Sequence, residues 1–363
     1  MSEPRVSVVV PAFKAEGTIR RALDSLRAQT CQDFETLVID DGSPDEVAAI
    51  VAAEYPEVRL IRQENAGVSR TRNRGAAEGR GEFVSFLDSD DEWAPEKLER
   101  QLAIFAERPD ADCCGTNGWV LVGERRYLFN NAHRPRLIDL ELQDLIWGYH
   151  PVLASLMVRR AVFLEIGGYD PAMTFHEDQE LIYRIAGTGH RIVELNEPLY
   201  IIYRHSESRS SGAALRRAIW RVHALERWDP QTRRDSPLTR GEYVAALGYR
   251  VIFSSAECYR EGGRDRVAEI LGHLDGVRDA RLSHRLLHRL GRLSYPLFGV
   301  TAGAWQRSQA CFGALRRWGG LRGLVRQFWS RYVARGRKQA NRGCATNLTP
   351  IDKPAPERND QAG

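Results

Sequence analysis

The chain has 363 residues, of which 43% are hydrophobic and 28% are charged, and its formal net charge is +4. This length is enough for one large domain with an appendage, or for two domains. The sequence has no uncharged apolar run near the roughly 18 residues of a spanning helix and no basic-then-apolar leader, so it predicts neither a transmembrane helix nor a signal peptide. The six scattered cysteines then indicate reduced thiols in a cytosolic protein, and exclude a disulfide framework and a zinc site.

Strands and helices alternate through the first 90 residues. Short runs rich in β-branched residues predict four strands, at residues 6–11, 34–39, 58–61 and 82–87. Apolar residues at helical spacing, together with helix-ending glycines, predict intervening helices at residues 19–26, 47–53 and 67–79. Short connections between alternating strands and helices favour right-handed βαβ units, so we expect an α/β fold with a mostly parallel sheet, similar to a Rossmann fold and flanked by helices.

Polar or unusual residues follow three of these predicted strands. Pro11, Ala12 and Phe13 come after the first strand, residues 40–43 (Asp-Asp-Gly-Ser) after the second, and residues 88–91 after the fourth. Ligands on such sheets bind outside the carboxyl ends of the strands. The first turn lacks the glycine-rich pattern of a dinucleotide site, so a bound phosphate needs a different partner.

Residues 88–91 (Asp-Ser-Asp-Asp) place three carboxylates within four positions. Strand alternation puts Asp88 and Asp90 on one side, with Asp91 at the turn. Mg²⁺ prefers one or two carboxylates together with substrate phosphates, so this triplet is a candidate metal site. The alternative is a solvated acidic turn that caps the helix beginning near Pro95.

The middle of the chain, about residues 110–205, is less regular. Strands are predicted at residues 152–158, 192–195 and 199–203, and a helix begins at His176. Acidic residues open this helix, including Glu177 and Asp178. Such acids either offset the helix dipole or perform chemistry, and the pattern alone leaves both interpretations open.

The character of the sequence changes after residue 211. We expect a helical extension at 212–280, a basic amphipathic helical segment at 281–345 and a disordered tail at 346–363. Residues 281–342 contain fourteen Arg and Lys but no Asp or Glu, interleaved with Trp and Phe. This pattern is typical of an interfacial helix on anionic lipid; the alternative is a basic helix packed on the core. Nucleic acid binding is not expected, because no nucleic-acid module is recognisable.

Five motifs in fixed order resemble the nucleotide-binding half of family 2 glycosyltransferases, which have the GT-A fold. They lie at residues 6–13, 22–30, 38–43, 65–75 and 86–91. The Gly-Gly-Tyr-Asp motif at 167–170 and the Glu-Asp pair at 177–178 resemble the acceptor half of the same family. The resemblance implies a GT-A domain at 1–211, with a nucleotide-binding half at 1–110 and an acceptor half at 111–211.

The resemblance also implies roles for matched positions. Pro11 and Asp41 would hold the uracil ring of a UDP-sugar, Arg72 would lie near the diphosphate or the sugar, and Asp178 resembles the general base. The complete set of implied substrate-binding residues is Pro11, Ala12, Phe13, Glu16, Asp41, Arg72, Asp88 and Glu177. Asp90 resembles a direct metal ligand, and the implied metal positions are Asp90, Asp88 and His205. His205 also has the alternative of a purely structural histidine at a strand end.

The implied activity is a metal-dependent, inverting transfer of a sugar from a UDP-sugar to a hydroxyl of a glycan or lipid-linked acceptor. Mg²⁺ or Mn²⁺ would be the cofactor. The basic segment at 281–342 would hold the protein at an anionic membrane surface, peripheral to the inner face of the cell membrane, as in bacterial surface-polysaccharide assembly. Two alternatives stay open: an inactive, membrane-associated sugar-nucleotide scaffold, and a nucleotidyltransferase, although the latter usually has a glycine-rich basic loop after the first strand.

Overall fold

A computed structural model describes residues 3–130, 135–146, 151–173 and 175–204, with a few further positions between 224 and 243. These residues form ten strands and seven helices. The strands are β1 Val6–Ala12, β2 Phe34–Asp40, β3 Arg59–Arg62, β4 Phe83–Phe86, β5 Glu92–Trp93, β6 Cys113–Val122, β7 Arg125–Leu128, β8 Leu137–Leu140, β9 Val152–Arg159 and β10 Ile192–Arg204. The helices are α1 Ile19–Arg27, α2 Val47–Glu54, α3 Val68–Glu78, α4 Lys97–Glu107, α5 Leu142–Ile146, α6 Arg160–Glu165 and α7 Glu177–Gly187.

All ten strands belong to one sheet, in the order β3-β2-β1-β4-β9-β6-β10-β5, with β7 paired to β6 and β8 to β10. The first four strands in this order are parallel to one another, as the short βαβ connections predict. Strand β9 runs antiparallel to both β4 and β6, so β6 and its parallel neighbour β10 point in the same direction as β4. The α/β class is confirmed.

The sheet is covered on both faces because alternate residues of β1 pack on opposite sides. Val8 and Val10 belong to one apolar cluster with the buried face of α1, and Val9 belongs to the other cluster, with Ala76 of α3. A Cβ added at Gly75 would lie 2.3 Å from Cγ1 of Val9, so only glycine allows α3 to approach β1 this closely. This close packing fixes the position of α3 on β1.

Two strands extend further than predicted. Pro11 and Ala12 lie within β1, paired with Ile39 and Asp40 of β2, and only Phe13 follows the strand. Proline is tolerated here because its ring nitrogen points to the same side as the Val9 carbonyl, which accepts from Leu87 N, and the pairing of β1 with β4 ends at Val9 and Phe86. The two strands predicted at 192–195 and 199–203 are a single strand, β10, with register shifts around Pro198.

Much of the middle region is more regular than predicted. The long strand β6 pairs with three other strands, β7, β9 and β10, and α5 packs against α7. None of the helices in the described ranges is long and apolar enough to span a membrane. His205, the basic segment and the tail lie outside the described residues, as does the helical extension apart from a few positions between 224 and 243. Their predicted boundaries stay predictions.

Lys97 of α4 is fully buried. Its Nζ donates to Oε1 of Gln101 at 2.7 Å and to Oγ of Ser85 at 3.4 Å, and lies 3.7 Å from the centre of the Trp93 ring. Within the described residues no carboxylate pairs with it, and burial lowers the pKa of Lys97 to about 7, from an ordinary 10.5. The folded protein therefore holds this lysine without charge above neutral pH.

We expect this burial to make the stability depend on pH. Above pH 7 the unfolded chain binds a proton at Lys97 that the folded chain does not, so the unfolding free energy rises with pH by about 1.4 kcal/mol per unit until the unfolded lysine also titrates. Lys97→Met removes this contribution. Urea unfolding from pH 7 to pH 9 should show a shallower pH slope for Lys97→Met than for the exposed control Lys14→Met; equal slopes would contradict the prediction.

Candidate active site

Arg72 of α3 links the turn after β4 to the first turn of α7. Its side chain is only 7% exposed. Nη2 donates to Oδ1 of Asp88 at 2.5 Å, just beyond β4, and Nη1 donates to Oε1 of Glu177 at 3.1 Å, in the first turn of α7. Burial opposes the charged guanidinium, but Asp88, Tyr169 and Glu177 outweigh it, so the pKa of Arg72 is raised. One buried cation thus brings the acidic turn after β4 to the start of α7.

Tyr169 lies buried beneath this ion-pair network. The Arg72 guanidinium lies 5.1 Å from the centre of its ring. Burial raises the pKa of Tyr169 strongly; Arg72 opposes the shift, and the negative charges of Asp178, Glu177 and Asp88 add to it. The charges of all three carboxylates therefore act on one tyrosine. The sequence singled out its Gly-Gly-Tyr-Asp motif but did not predict this tyrosine as a site residue.

A reciprocal pair of hydrogen bonds fixes Tyr169 to α3. The side-chain amide of Asn73 donates to the carbonyl oxygen of Tyr169 at 2.7 Å and accepts from the Tyr169 amide at 2.8 Å. Gly168 lies in the left-handed region with φ of +65°, and a Cβ there would be 2.4 Å from Oδ1 of Asn73. The glycine therefore serves both the backbone conformation and the close approach to Asn73.

Asp41 is almost fully buried and organises the loop before α3. Its Oδ1 accepts from Nε2 of Gln63 at 2.6 Å and from the Ala66 amide at 2.8 Å, and its Oδ2 accepts from the Gly67 amide at 2.9 Å. Gln63 Nε2 also lies 3.2 Å from Oγ1 of Thr71, the residue before Arg72. The loop contacts were not predicted, and the contact of Asp41 with a nucleotide base stays a prediction.

The loop between β1 and α1 borders the same edge of the sheet. Phe13 is 46% exposed. Lys14 has a φ of +53°, and its amide donates to Oγ of Ser43 at 2.7 Å. The Glu16 amide donates to Oδ2 of Asp45 at 2.9 Å. Within the described ranges no hydrogen bond joins Phe13 or Glu16 to the network around Arg72, so their predicted substrate contacts depend on a bound ligand.

The acidic turn after β4 has one buried acidic residue and two partly exposed ones. Asp91 is 5% exposed, and its Oδ1 accepts from the Tyr203 amide at 3.0 Å. The sequence counted Asp91 in the acidic triplet but not among the implied metal positions. Burial, then the negative charges of Asp88 and Asp90, raise the pKa of Asp91 well above its usual range. Asp88 and Asp90 are only partly buried, so solvent reaches both residues.

This turn does not cap the following helix, as the alternative interpretation proposed. Helix α4 begins at Lys97, its N-cap residue is Glu96, and the acid of its first turn is Glu99. The acidic turn instead concentrates negative charge, because each of its carboxylates adds to the cost of ionising Asp91. An arriving cation would relieve this repulsion.

The donor chemistry of the turn fits a hard divalent cation. Within the described residues no group of three or more His, Cys, Asp or Glu side chains is arranged to hold a metal ion. Asp88 and Asp90 offer two carboxylates, and Mg²⁺ commonly takes one or two carboxylates and completes its shell with substrate phosphates and water. Asp88 shares one oxygen with Arg72. The direct metal contact predicted for Asp90 stays a prediction.

Helix α7 begins with three acids. Glu177 pairs with Arg72, and Glu180 pairs with Arg184 and Arg227. Asp178 is only partly buried, and its charge acts on Tyr169. The residue before the helix, His176, has a φ of +56°, an uncommon conformation for a residue with a side chain. Glu177 and Glu180 are thus buried and pair with arginine, whereas Asp178 is more exposed than either of them.

The structure thus combines a mostly parallel α/β sheet with an acidic turn after β4 and a second group of acids at the start of α7. Residues 7–167 match the family "Glycosyl transferase family 2". This match spans less than half of the chain, and it agrees with the resemblance to family 2 glycosyltransferases that the sequence motifs indicated.

Curated relatives agree with this resemblance. The chain is 27% identical over 212 residues to an uncharacterised glycosyltransferase of Haemophilus influenzae, which covers 56% of this chain and 66% of the relative. It is 43% identical over 116 residues to the succinoglycan biosynthesis protein ExoW of Rhizobium meliloti, covering 30% of this chain and 36% of the relative. The chain spans less than two thirds of the length of each of these relatives.

Solved structures share the fold. TarS 1–349 of S. aureus, solved with UDP, superposes with a TM-score of 0.57 at 18% identity, covering 82% of this chain and 93% of TarS 1–349. The mannosyltransferase PcManGT of Pyrobaculum calidifontis, solved with GDP-Man and Mn²⁺, has a TM-score of 0.50 at 17% identity, covering 93% of this chain and 87% of that structure. At these identities the likeness establishes the GT-A fold.

Proposed function

We propose that this protein is a metal-dependent, inverting glycosyltransferase that moves a sugar from a UDP-sugar to a hydroxyl of a glycan or lipid-linked acceptor. The observation that carries the proposal is the network in which Arg72 holds Asp88 and Glu177 over Tyr169. It gathers the acidic turn, a buried cation and the Glu-Asp pair at one edge. TarS 1–349 has been solved with UDP and with UDP-GlcNAc, which supports a UDP-sugar as the first donor to test.

The donor would lie between the β1 and β2 ends and the acidic turn. Pro11, Ala12 and Phe13 border the nucleoside side of this edge, and the Asp41-bound loop completes it. Arg72 would contribute positive charge near the diphosphate, where negative charge develops as the leaving group departs. Asp90, with Asp88, would hold Mg²⁺ or Mn²⁺ against the diphosphate, where the metal supplies Lewis-acid stabilisation of the leaving group.

Asp178 would accept the proton of the acceptor hydroxyl. The hydroxyl oxygen attacks the anomeric carbon, the carbon–oxygen bond to the diphosphate breaks, UDP leaves from the opposite face, and the proton passes to the Asp178 carboxylate. Such a single displacement inverts the anomeric configuration. The start of α7 favours an ionised Asp178, because the helix N-terminus stabilises negative charge. Glu177 positions this residue through its ion pair with Arg72.

The acceptor and the membrane remain part of the proposal. The basic segment at 281–342, with no acidic residue, is suited to an anionic inner-membrane surface, where a lipid-linked glycan would be present. The relative ExoW is named for succinoglycan biosynthesis, which supports a polysaccharide pathway as the setting. His205 stays a proposed metal or diphosphate ligand.

A screen of nucleotide-sugars tests the function directly. Ligands that bind the folded state raise its melting temperature, so each candidate is tested with and without Mn²⁺. UDP release is then measured with the stabilising donor and candidate acceptors. A transferase releases UDP in an acceptor-dependent manner. Stabilisation without any release would identify an inactive sugar-nucleotide scaffold, and release of sugar 1-phosphate instead of UDP would identify a nucleotidyltransferase.

Asp90→Ala should weaken metal-dependent nucleotide binding. Loss of even an outer-shell partner typically lowers metal affinity at least about tenfold, so we expect at least that loss for UDP affinity with Mn²⁺ or Mg²⁺ present. Titration calorimetry with and without the metal measures the effect, with the exposed Asp110→Ala as the matched control. Unchanged UDP affinity of Asp90→Ala in the presence of metal would contradict the assignment.

A further inference from the structure

The β6–β7 hairpin exposes apolar side chains on a projecting ribbon. Val122 is 47% exposed, Tyr127 49% and Phe129 36%. The strands are joined by a two-residue turn, Gly123–Glu124, and Gly123 has a φ of +58°. These side chains lie outside the network around Arg72, and the proposed chemistry does not use them.

The pairing register places the exposed apolar groups on one face. Val120 pairs with Tyr127 and Val122 with Arg125, and paired residues share a face, so Val120, Val122 and Tyr127 form one apolar stripe with Arg125 at its end. On the opposite face the Arg126 guanidinium lies 3.8 Å from the centre of the Trp119 ring. The ribbon is therefore apolar along its length and basic at its tip.

The tip charges are suited to an anionic partner. Among the described residues, no carboxylate forms an ion pair with Arg125 or Arg126, and the adjacent Glu124 is the only acid between residues 119 and 129. Aromatic and aliphatic side chains beside unpaired arginines are the combination that partitions into the headgroup region of an anionic bilayer. The same arginines lie on β7 and disfavour edge-to-edge pairing with a second copy.

The hairpin also projects from the edge that carries the acidic turn. Strand β6 runs in the same direction as β4, and Leu121 pairs with Tyr203, whose amide donates to Asp91. A surface touched by the hairpin tip would thus face the edge where the donor is proposed to bind. A lipid-linked acceptor in that surface would be presented on the correct side of the sheet.

We propose that the β6–β7 hairpin is a membrane-docking element that inserts Val122 and Tyr127 into an anionic phospholipid surface, with Arg125 and Arg126 at the headgroups. This contact is separate from the one proposed for residues 281–342. Its link to the acceptor rests on the proposed transferase activity, but docking itself does not. A glycan is a poorer occupant, because the stripe offers few fixed polar groups to orient sugar hydroxyls.

Hydrogen exchange of the full-length protein tests the contact locally, independently of the basic segment. With vesicles of equal parts phosphatidylglycerol and phosphatidylcholine, peptides covering residues 119–129 should exchange more slowly, whereas peptides covering α6 should not change. Vesicles of phosphatidylcholine alone should protect the hairpin less. Equal exchange of the hairpin peptides with and without anionic vesicles would overturn the proposal.

Matched variants provide the second readout. The double variant Val122→Ser/Tyr127→Ser should lower partitioning onto anionic vesicles about tenfold, because two half-exposed apolar groups no longer enter the interface. The control Leu164→Ser, at a residue 42% exposed on α6, should partition normally. Equal partitioning of the two variants, or a dimer that sedimentation velocity shows to be lost only in the double variant, would overturn the proposal.

Two further measurements separate possible causes. Melting temperatures confirm that each variant folds. UDP release with a soluble acceptor tests the transferase separately, so its failure would leave a positive vesicle result standing, and a loss of release in the hairpin variant without vesicles would identify a glycan-binding hairpin and overturn docking.

Discussion

Asp178→Asn is expected to retain UDP binding and to lose sugar transfer by about 10²–10⁴-fold, the usual contribution of a positioned general base. The amide has nearly the same shape as the carboxylate, so the first turn of α7 and the buried Tyr169 ring should keep their positions. The amide cannot take the proton of the acceptor hydroxyl, however. Transfer is measured as acceptor-dependent UDP release, and UDP binding is measured by calorimetry on the same preparation.

The matched control is Asp144→Asn, because Asp144 also lies in the first turn of a helix, α5. Both substitutions remove a helix-dipole interaction of about 0.3–1 kcal/mol, so both should lower stability slightly. Only Asp178→Asn should abolish transfer. Near-normal turnover of Asp178→Asn would show that another group is the base.

Arg72→Met should destabilise the protein by about 3–5 kcal/mol, the usual cost of removing one partner from a buried ion pair. Most of this cost comes from Glu177, whose side chain is 3% exposed, because Asp88 is 31% exposed and solvent can compensate its charge. Methionine keeps much of the side-chain volume, so the effect reports the lost charge. Urea unfolding monitored by circular dichroism measures it.

A second substitution tests the cause of the destabilisation. The double variant Arg72→Met/Glu177→Gln removes the unpaired negative charge of Glu177 and should recover a substantial part of the lost unfolding free energy. Arg80→Met is the control, since Arg80 is 62% exposed in its pair with Glu35, and exposed pairs contribute about 0–1 kcal/mol. If Arg72→Met lowers the free energy of unfolding by no more than Arg80→Met does, the ion pairs of Arg72 with Asp88 and Glu177 do not stabilise the fold.

The sequence predicted the first half of the sheet well for a physical reason. The residues of β1 and most of β2 are buried on both faces, so they form continuous apolar runs between short helical connections. The middle region gives no such signal. Strand β6 is buried at its beginning and exposed at its end. It pairs with β9 and β10, and both of these strands are distant from β6 in sequence. Pairings of this kind leave little local pattern.

The same distinction holds for the candidate site. The acids of the turn and of α7 could be found because acidic residues at the end of an apolar run or at a helix start form a local pattern. The partners of Arg72 lie 16 and 105 positions away, and Asn73 meets Tyr169 across 96 positions. The burial of Asp91 and the loop contacts of Asp41 also depend on distant backbone. Sequence motifs therefore drew attention to Arg72, Asp88 and Glu177, whereas their contacts with one another and with Tyr169 are visible only in the structure.

The fit between Asn73 and Gly168 has a consequence for how this protein can be recombined with relatives. Asn73 lies on α3 and Gly168 follows α6, and the space for a side chain at 168 is taken by the amide of Asn73. Replacing only one of these two segments by that of a relative with a different pair would place a side chain against that amide or leave the Tyr169 backbone unanchored. These two positions therefore have to be inherited together in any working chimera.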